Sequence, residues 1–107
     1  MNRKIYVVNY KEQDLREAEK YGELVYLTEG VVNIFNMDSI MFRLSRGLRN
    51  MTPDDMILLS GSPILNAIAC MIASKKHGHV DVLIYDKKGL KYFSDTIPEI
   101  KEECKDA

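Results

Sequence analysis

The segment Ser60-Gly61-Ser62-Pro63 is the clearest chemical feature of the sequence, because it joins an apolar run to a helical one. Serine followed by proline is typical of a helix start, with Ser62 as N-cap and Pro63 in the first turn. The free N–H groups and positive dipole end of a helix can hold phosphate or carboxylate. We therefore expect a polar or phosphate-bearing ligand bound by Ser60, Gly61, Ser62 and Asn66. The alternative is ordinary strand-to-helix turn chemistry.

Polar residues also follow the other predicted strands. In open α/β sheets, ligands bind outside the carboxyl ends of the strands, so the same ligand would meet Asn9, Thr28, Glu29 and Gly30. The glycine fingerprint of dinucleotide-binding sheets is missing after the first strand, and no P-loop motif is present, which argues against classical NAD, FAD and P-loop enzymes. We predict a non-enzymatic module for a nucleotide-like ligand, without a cofactor.

Two alternatives concern the acidic residue of this set. Glu29 stands where dinucleotide-binding sheets place a carboxylate for ribose hydroxyls. It would serve as general base if the protein were a small enzyme, although no nucleophile–base pair accompanies it and no catalytic residue is predicted. A solvated loop carboxylate is the simpler interpretation.

A basic stripe is the second feature with chemical potential. Arg43, Arg46 and Arg49 recur every third residue, and arginine suits phosphate contacts. The chain has 15 basic and 16 acidic side chains, so its formal net charge of −1 argues against a dedicated nucleic-acid binder. A solvated helix face is the alternative to a contact with nucleic acid, a nucleotide or an acidic partner.

Histidines and cysteines offer little chemistry. His77 and His79 are two imidazoles without a third or fourth metal ligand nearby in the sequence, so no metal site is predicted. Cys70 lies in an apolar run and Cys104 in a charged tail, which makes a disulfide improbable. Without an export signal or a membrane-length apolar run, we expect a cytoplasmic protein with no membrane partner.

The elements that must position these residues alternate along the chain. Predicted strands cover Ile5–Val8, Glu23–Thr28, Met56–Leu59, Val80–Tyr85 and Leu90–Thr96. Predicted helices cover Leu15–Tyr21, a segment from Asn36 or Asp38 to about Asn50, and Pro63–Lys76. Asp14 would cap the first of these helices and Gly78 would end the third. This order predicts a small Rossmann-like or flavodoxin-like three-layer sandwich, mostly parallel with a C-terminal antiparallel hairpin strand. Residues 1–97 would form one domain and residues 98–107 a charged tail.

The third predicted helix has two unlike faces. One carries Ile64, Leu65, Ile68, Met71 and Ile72, whereas the other carries the small residues Asn66, Ala69, Cys70, Ala73 and Ser74. A surface helix would show charges on its outer side. We therefore predict that the small face is an interface, most simply of a homodimer. Packing against another part of the same chain is the rival.

The apolar loop of residues 31–35 is unusual for a connecting segment. It could be a lid over the sheet edge, core filler or a subunit contact. Together with the helix of residues 63–76, it motivates a second functional hypothesis. The protein would then be an interaction module, such as an inhibitor or regulatory subunit, acting on a protein partner.

Overall fold

A computed structural model describes residues 2–100. The strands are β1 (Lys4–Val7), β2 (Glu23–Tyr26), β3 (Met56–Leu58), β4 (Val80–Asp86) and β5 (Lys91–Ile97). The helices are α1 (Met37–Gly47) and α2 (Pro63–His77), and Ala18–Lys20 forms one 3-10 turn. The sheet order is β2-β1-β3-β4-β5, with β1 to β4 parallel and β5 antiparallel to β4. The predicted mixed α/β fold, with its mostly parallel sheet and C-terminal antiparallel pair, is confirmed.

The helix ends follow the predicted signals. The side chain of Asn36 caps α1 by accepting a hydrogen bond from the Ser39 N–H. Ser62 caps α2 by accepting from the Ile64 N–H, and Pro63 occupies the first turn. Gly78 ends α2 in the left-handed conformation with φ of 78°, where an L side chain would be strained. Local side-chain chemistry therefore determines where both helices begin and where α2 stops.

The predicted helix at Leu15–Tyr21 is wrong, since the structure has only the 3-10 turn there. Asp14 does not cap a helix: one carboxylate oxygen accepts from the Arg16 N–H, and the group also pairs with the Arg16 guanidinium. Such a local turn competes with helix formation. The segment still covers the sheet, because Leu15 and Ala18 are buried against it.

Both helices therefore lie on one face of the sheet. Residues of α1 and α2 share a core cluster with Tyr6 and Ile57, whereas the opposite face is packed by the β1–β2 connection. The predicted helical layer on each face is thus not what the described residues form. One face carries two helices and the other an irregular segment with a 3-10 turn.

The small face of α2 is buried within the chain. Ala69 and Ala73 are fully buried in the cluster that contains Leu44 and Leu48 of the α1 segment. The ammonium group of Lys76 donates to the Leu48 and Arg49 carbonyls at 2.9 and 2.8 Å, which ties the end of α2 to that of α1. The predicted interface through Ala69 and Ala73 is wrong, because small residues here allow two helices of one chain to pack closely.

The remaining predictions for this interface have different outcomes. Asn66 closes a turn, as described below. Cys70 and Ser74 are partly buried at the border of the small face. The large apolar face is not fully covered, since Met71 is exposed. A homodimer stays a prediction, now without the small face as its contact.

The C-terminal tail begins after β5, and Pro98, Glu99 and Ile100 are exposed without regular structure. Cys104 and the rest of the predicted tail lie outside the described residues. Neither α1 nor α2 has the length and apolar character needed to cross a bilayer, and no other helix of residues 2–100 does.

Candidate functional site at the carboxyl edge of the sheet

The turn between β3 and α2 is closed by one side chain. The Asn66 side-chain oxygen accepts from the Ser60 N–H at 2.9 Å. The Asn66 amide donates to the carbonyls of Ser60 and Ser62 at 3.0 and 2.9 Å. These bonds occupy the Asn66 side chain and the Ser60 N–H, while the Ser62 hydroxyl accepts from the Ile64 N–H, which supports the turn-chemistry alternative for Asn66 and Ser62.

Asn9 packs directly beneath this turn. Its backbone N–H donates to the Ser60 hydroxyl at 3.0 Å, and the residue is 3% exposed. A Cβ atom built on Gly61 would lie 2.7 Å from the Asn9 Cβ, and Gly61 has φ of 78°. Only glycine satisfies both conditions without rearrangement. The Asn9 side-chain oxygen is buried and has no hydrogen-bond partner within residues 2–100.

Thr28, Glu29 and Gly30 form a separate group at the end of β2. The Thr28 hydroxyl donates to the Val8 carbonyl at 2.7 Å and is buried, so its role is structural. Glu29 is exposed and lines an open cleft of about 390 Å³ with Gly30 and Val31. The predicted site is therefore divided: Asn9, Ser60, Gly61, Ser62 and Asn66 meet, whereas Glu29 and Gly30 face another cleft.

A second cleft at this edge lies on the sheet face opposite the helices. Its volume is about 380 Å³, and three chain segments line it: Gln13, Asp14 and Leu15; Leu58, Leu59 and Ser60; and Tyr85, Lys87 and Tyr92. The Tyr85 and Tyr92 rings lie with centroids 5.0 Å apart. Burial raises the pKa of the Tyr92 hydroxyl, which remains protonated at neutral pH.

Sequence reasoning found only Ser60 among the residues of this cleft. A usable signal was present, because the β4–β5 hairpin pairs Tyr85 with Tyr92 and places both on one face. The pairing register depends on the turn at residues 87–90, which the sequence alone did not define sufficiently.

An exposed ion pair sits at the rim of this cleft. The Arg16 guanidinium donates to Asp14 and lowers the pKa of that carboxyl to about 2. Arg16→Gln should raise the Asp14 pKa toward its ordinary value of 3.8, measured by carboxyl-carbon NMR titration. Lys20→Gln, which breaks the separate Lys20–Glu17 pair, is the control and should leave the Asp14 pKa unchanged. An unchanged pKa in Arg16→Gln would contradict this assignment.

A wider cleft, of about 740 Å³, lies at the amino ends of the strands between Arg3, Tyr21 and Asp55. The Asp55 carboxylate is buried and accepts from the N–H groups of Lys4 and Thr52, at 2.9 and 2.8 Å. The Asp55 carboxylate therefore stabilises the backbone at Lys4 and Thr52 and is not available to a ligand.

The imidazoles and the thiol are also in structural roles. His77 contacts the Met51 carbonyl at 3.1 Å, and His79 contacts the Pro53 carbonyl at 3.2 Å. Among residues 2–100, three potential metal-ligating side chains come together nowhere. Burial raises the pKa of the Cys70 thiol, which disfavours the nucleophilic thiolate.

The arginine stripe lines none of the three clefts described above and lies on the outer side of α1 and just beyond it. Arg43, Arg46 and Arg49 are exposed, and none forms an ion pair with a carboxylate of residues 2–100. The Arg46 guanidinium lies 6.0 Å from the centre of the Phe42 ring. The structure thus places the stripe beside an exposed aromatic side chain.

Comparison with curated proteins and with solved structures gave no significant match. A family model described as "Phage Pam3 gp32-like protein" matches residues 3–98, which includes every strand and helix described above. The chain therefore belongs to the Phage Pam3 gp32-like protein family.

Proposed function

We propose that the protein is an interaction module that binds an acidic protein partner. The contact would be the aromatic–arginine surface, defined as Val31, Phe35, Phe42, Arg43, Arg46 and Arg49. The observation that carries the proposal is the exposure of Val31 and Phe35, which are 93% and 91% accessible. Phe42, on the outer side of α1, is 64% accessible.

Such exposure is costly for a small monomer. Six large apolar side chains between residues 31 and 42 are exposed: Val31, Ile34, Phe35, Met37, Met41 and Phe42. Clustered exposed apolar side chains mark interaction sites, since covering them contributes about 25 cal/mol per Å². Aromatic and arginine side chains are the types most enriched where such contacts contribute most to binding.

The charge of the surface favours an acidic protein over other partners. The three arginines have no carboxylate partner within the described residues, so a partner can supply one. Electrostatic complementarity of this kind raises association rates and specificity. The net charge of −1 disfavours nucleic acid, whose binding depends on an extended basic surface.

The loop is also ordered by its own hydrogen bonds. The Phe35 N–H donates to the Asn33 side chain at 3.0 Å, and the Asn36 N–H donates to the Asn33 carbonyl at 3.3 Å. The aromatic side chain is thus presented from a turn joined directly to the cap of α1. A preorganised contact loses less conformational entropy on binding.

The proposal is tested by placing a photo-crosslinking residue at position 35 and irradiating the cells in which the protein is naturally made. Position 90 is the matched control, because Leu90 is 72% exposed in the β4–β5 turn, and that strand pair lies at the opposite end of the sheet order from β2, the strand that leads into the loop of Val31 and Phe35. We expect an adduct with an acidic protein from position 35 but not from position 90. The purified partner should then bind Phe35→Ser, and separately Arg43→Glu/Arg46→Glu, at least about tenfold more weakly by calorimetry.

Four results would contradict this function. An adduct with a second copy would make the surface a self-contact, and an adduct with nucleic acid would replace the protein partner. Equal crosslinking from positions 35 and 90, or undiminished binding by both variants, would show that this surface does not bind the partner.

We also propose that the fold is a reduced relative of flavodoxin-like sheets. The strand order β2-β1-β3-β4-β5 is the order of that class, although the last strand here is antiparallel. The missing helix after β1 and the placement of both helices on one face are the departures. NMR secondary shifts should therefore show no continuous helix across Leu15–Tyr21, and a continuous helix there would contradict the reduced form.

A further inference from the structure

We infer that the cleft lined by Ser60, Tyr85, Lys87 and Tyr92, here named the switch-point cleft, binds a small organic anion that carries a flat aromatic ring. This activity is separate from the proposed protein contact. The two surfaces share no residue, so either can fail alone.

The position of the cleft follows from the sheet order. The chain runs from β1 outward to β2 and then returns across β1 to β3, so the direction of winding reverses between β1 and β3. Open parallel sheets bind ligands outside the carboxyl ends of the strands at this reversal. Gln13 to Leu15 follow β1, and Leu58 to Ser60 end β3, so both sides of the reversal contribute to the wall.

The walls suit a planar ring. Tyr85 and Tyr92 stand opposite one another across the β4–β5 pair, with their rings tilted by 59°. Leu15 and Leu58 supply an apolar base, and both are buried. A flat ring can lie edge-to-face or offset against such tyrosines, an arrangement that stabilises aromatic pairs beyond the area they bury.

The polar groups of the cleft favour an anion. The Ser60 hydroxyl already accepts from the Asn9 N–H, and no acceptor within residues 2–100 takes its own proton, so that O–H can donate to a ligand. Lys87 forms no ion pair within the same residues. The charge of Asp14 is compensated by Arg16, which leaves Lys87 as the uncompensated charge at the wall.

The side chain of Gln13 holds the β1–β2 connection in place at the wall of the cleft and does not contact the ligand. Its side-chain amide donates to the Asn9 carbonyl at 3.0 Å, and its side-chain oxygen accepts from the Lys11 N–H. These bonds fix the β1–β2 connection beside the strand end. The cleft volume of about 380 Å³ falls at the small end of ligand pockets, which fits a single-ring ligand.

NMR titration of the full chain tests the inference with three probes: phenyl phosphate, inorganic phosphate and phenol. We expect phenyl phosphate at millimolar concentration to shift amide resonances around Ser60, Tyr85 and Tyr92, with the other two probes binding at least about tenfold more weakly. Lys87→Gln should weaken phenyl phosphate binding by about tenfold. Lys88→Gln is the matched control, because Lys88 is the neighbouring lysine and lies outside the cleft lining.

Several outcomes would overturn the inference. Equal shifts with inorganic phosphate would show adventitious anion binding only. Equal shifts with phenol would show that the anionic group does not contribute to binding. Equal effects of the Lys87 and Lys88 variants, or shifts confined to residues outside the cleft, would also refute it. Tyr85→Leu keeps the apolar area of the exposed ring and provides a second variant, expected to weaken phenyl phosphate binding without unfolding the protein.

Discussion

Replacing Gly61 by alanine should destabilise the protein by about 2–4 kcal/mol, among the largest effects expected of any single methyl group in this chain. The positive φ contributes about 1–2 kcal/mol of this cost for an L residue. The rest comes from the new Cβ, which would lie 2.7 Å from the Asn9 Cβ and must displace it. Urea unfolding followed by circular dichroism measures the loss, and the melting temperature should fall by roughly 8–25 °C.

Gly30 provides the control for the contact with Asn9. It also has a positive φ, of 71°, but a Cβ built on it has no atom of the described residues within 4 Å. Gly30→Ala should therefore cost only the conformational term, about 1–2 kcal/mol. Asn9→Gly should recover part of the loss in Gly61→Ala, because it removes the obstructing atom. Equal losses at Gly61 and Gly30 would contradict the close packing described here.

Short-range signals made most of the fold predictable. The β-branched and apolar runs identified all five strands, and Ser62-Pro63 and Gly78 defined both ends of α2. These signals act within a few residues, so the sequence contains the information needed to interpret them. The same short-range chemistry favours the turn interpretation of residues 60–66, since Asn66 closes its own turn four to six residues back.

Longer-range information was needed where the predictions were wrong. At Leu15–Tyr21, Asp14 pairs with Arg16 instead of capping a helix, and the segment takes its irregular path because Leu15 and Ala18 pack on the sheet. The small face of α2 indicated close packing correctly, but the sequence could not tell another helix of the chain from a second copy. The switch-point cleft depends on strand order and hairpin register together, neither of which a single sequence shows directly.

Replacing Asn66 by aspartate should give the largest pH-dependent change in stability that we expect for this protein. The side chain keeps the acceptor for the Ser60 N–H, but the oxygen replacing the amide nitrogen would face the Ser60 and Ser62 carbonyls, which now lie 3.0 and 2.9 Å from that nitrogen. Losing two donated bonds and adding this repulsion should cost about 2–4 kcal/mol at neutral pH. A favourable helix-dipole contribution of about 0.3–1 kcal/mol is too small to offset it.

The sign of the pH dependence distinguishes this explanation from a general loss of packing. A protonated carboxyl at position 66 can donate to a carbonyl, so folding should raise the carboxyl pKa above its unfolded value of about 3.9. As pH rises through this window the unfolded chain releases its proton first, and the Asn66→Asp variant should lose stability relative to its value at low pH. Asn66→Ala loses the same bonds without a titrating group, and Asn50→Asp places the carboxyl at an exposed position. Neither control should show this decline when urea unfolding is measured across the window. The charged form is unfavourable because the two carbonyls repel it. If the difference in unfolding free energy between Asn66→Asp and Asn66→Ala did not change with pH, the side chain of residue 66 would not face two carbonyls.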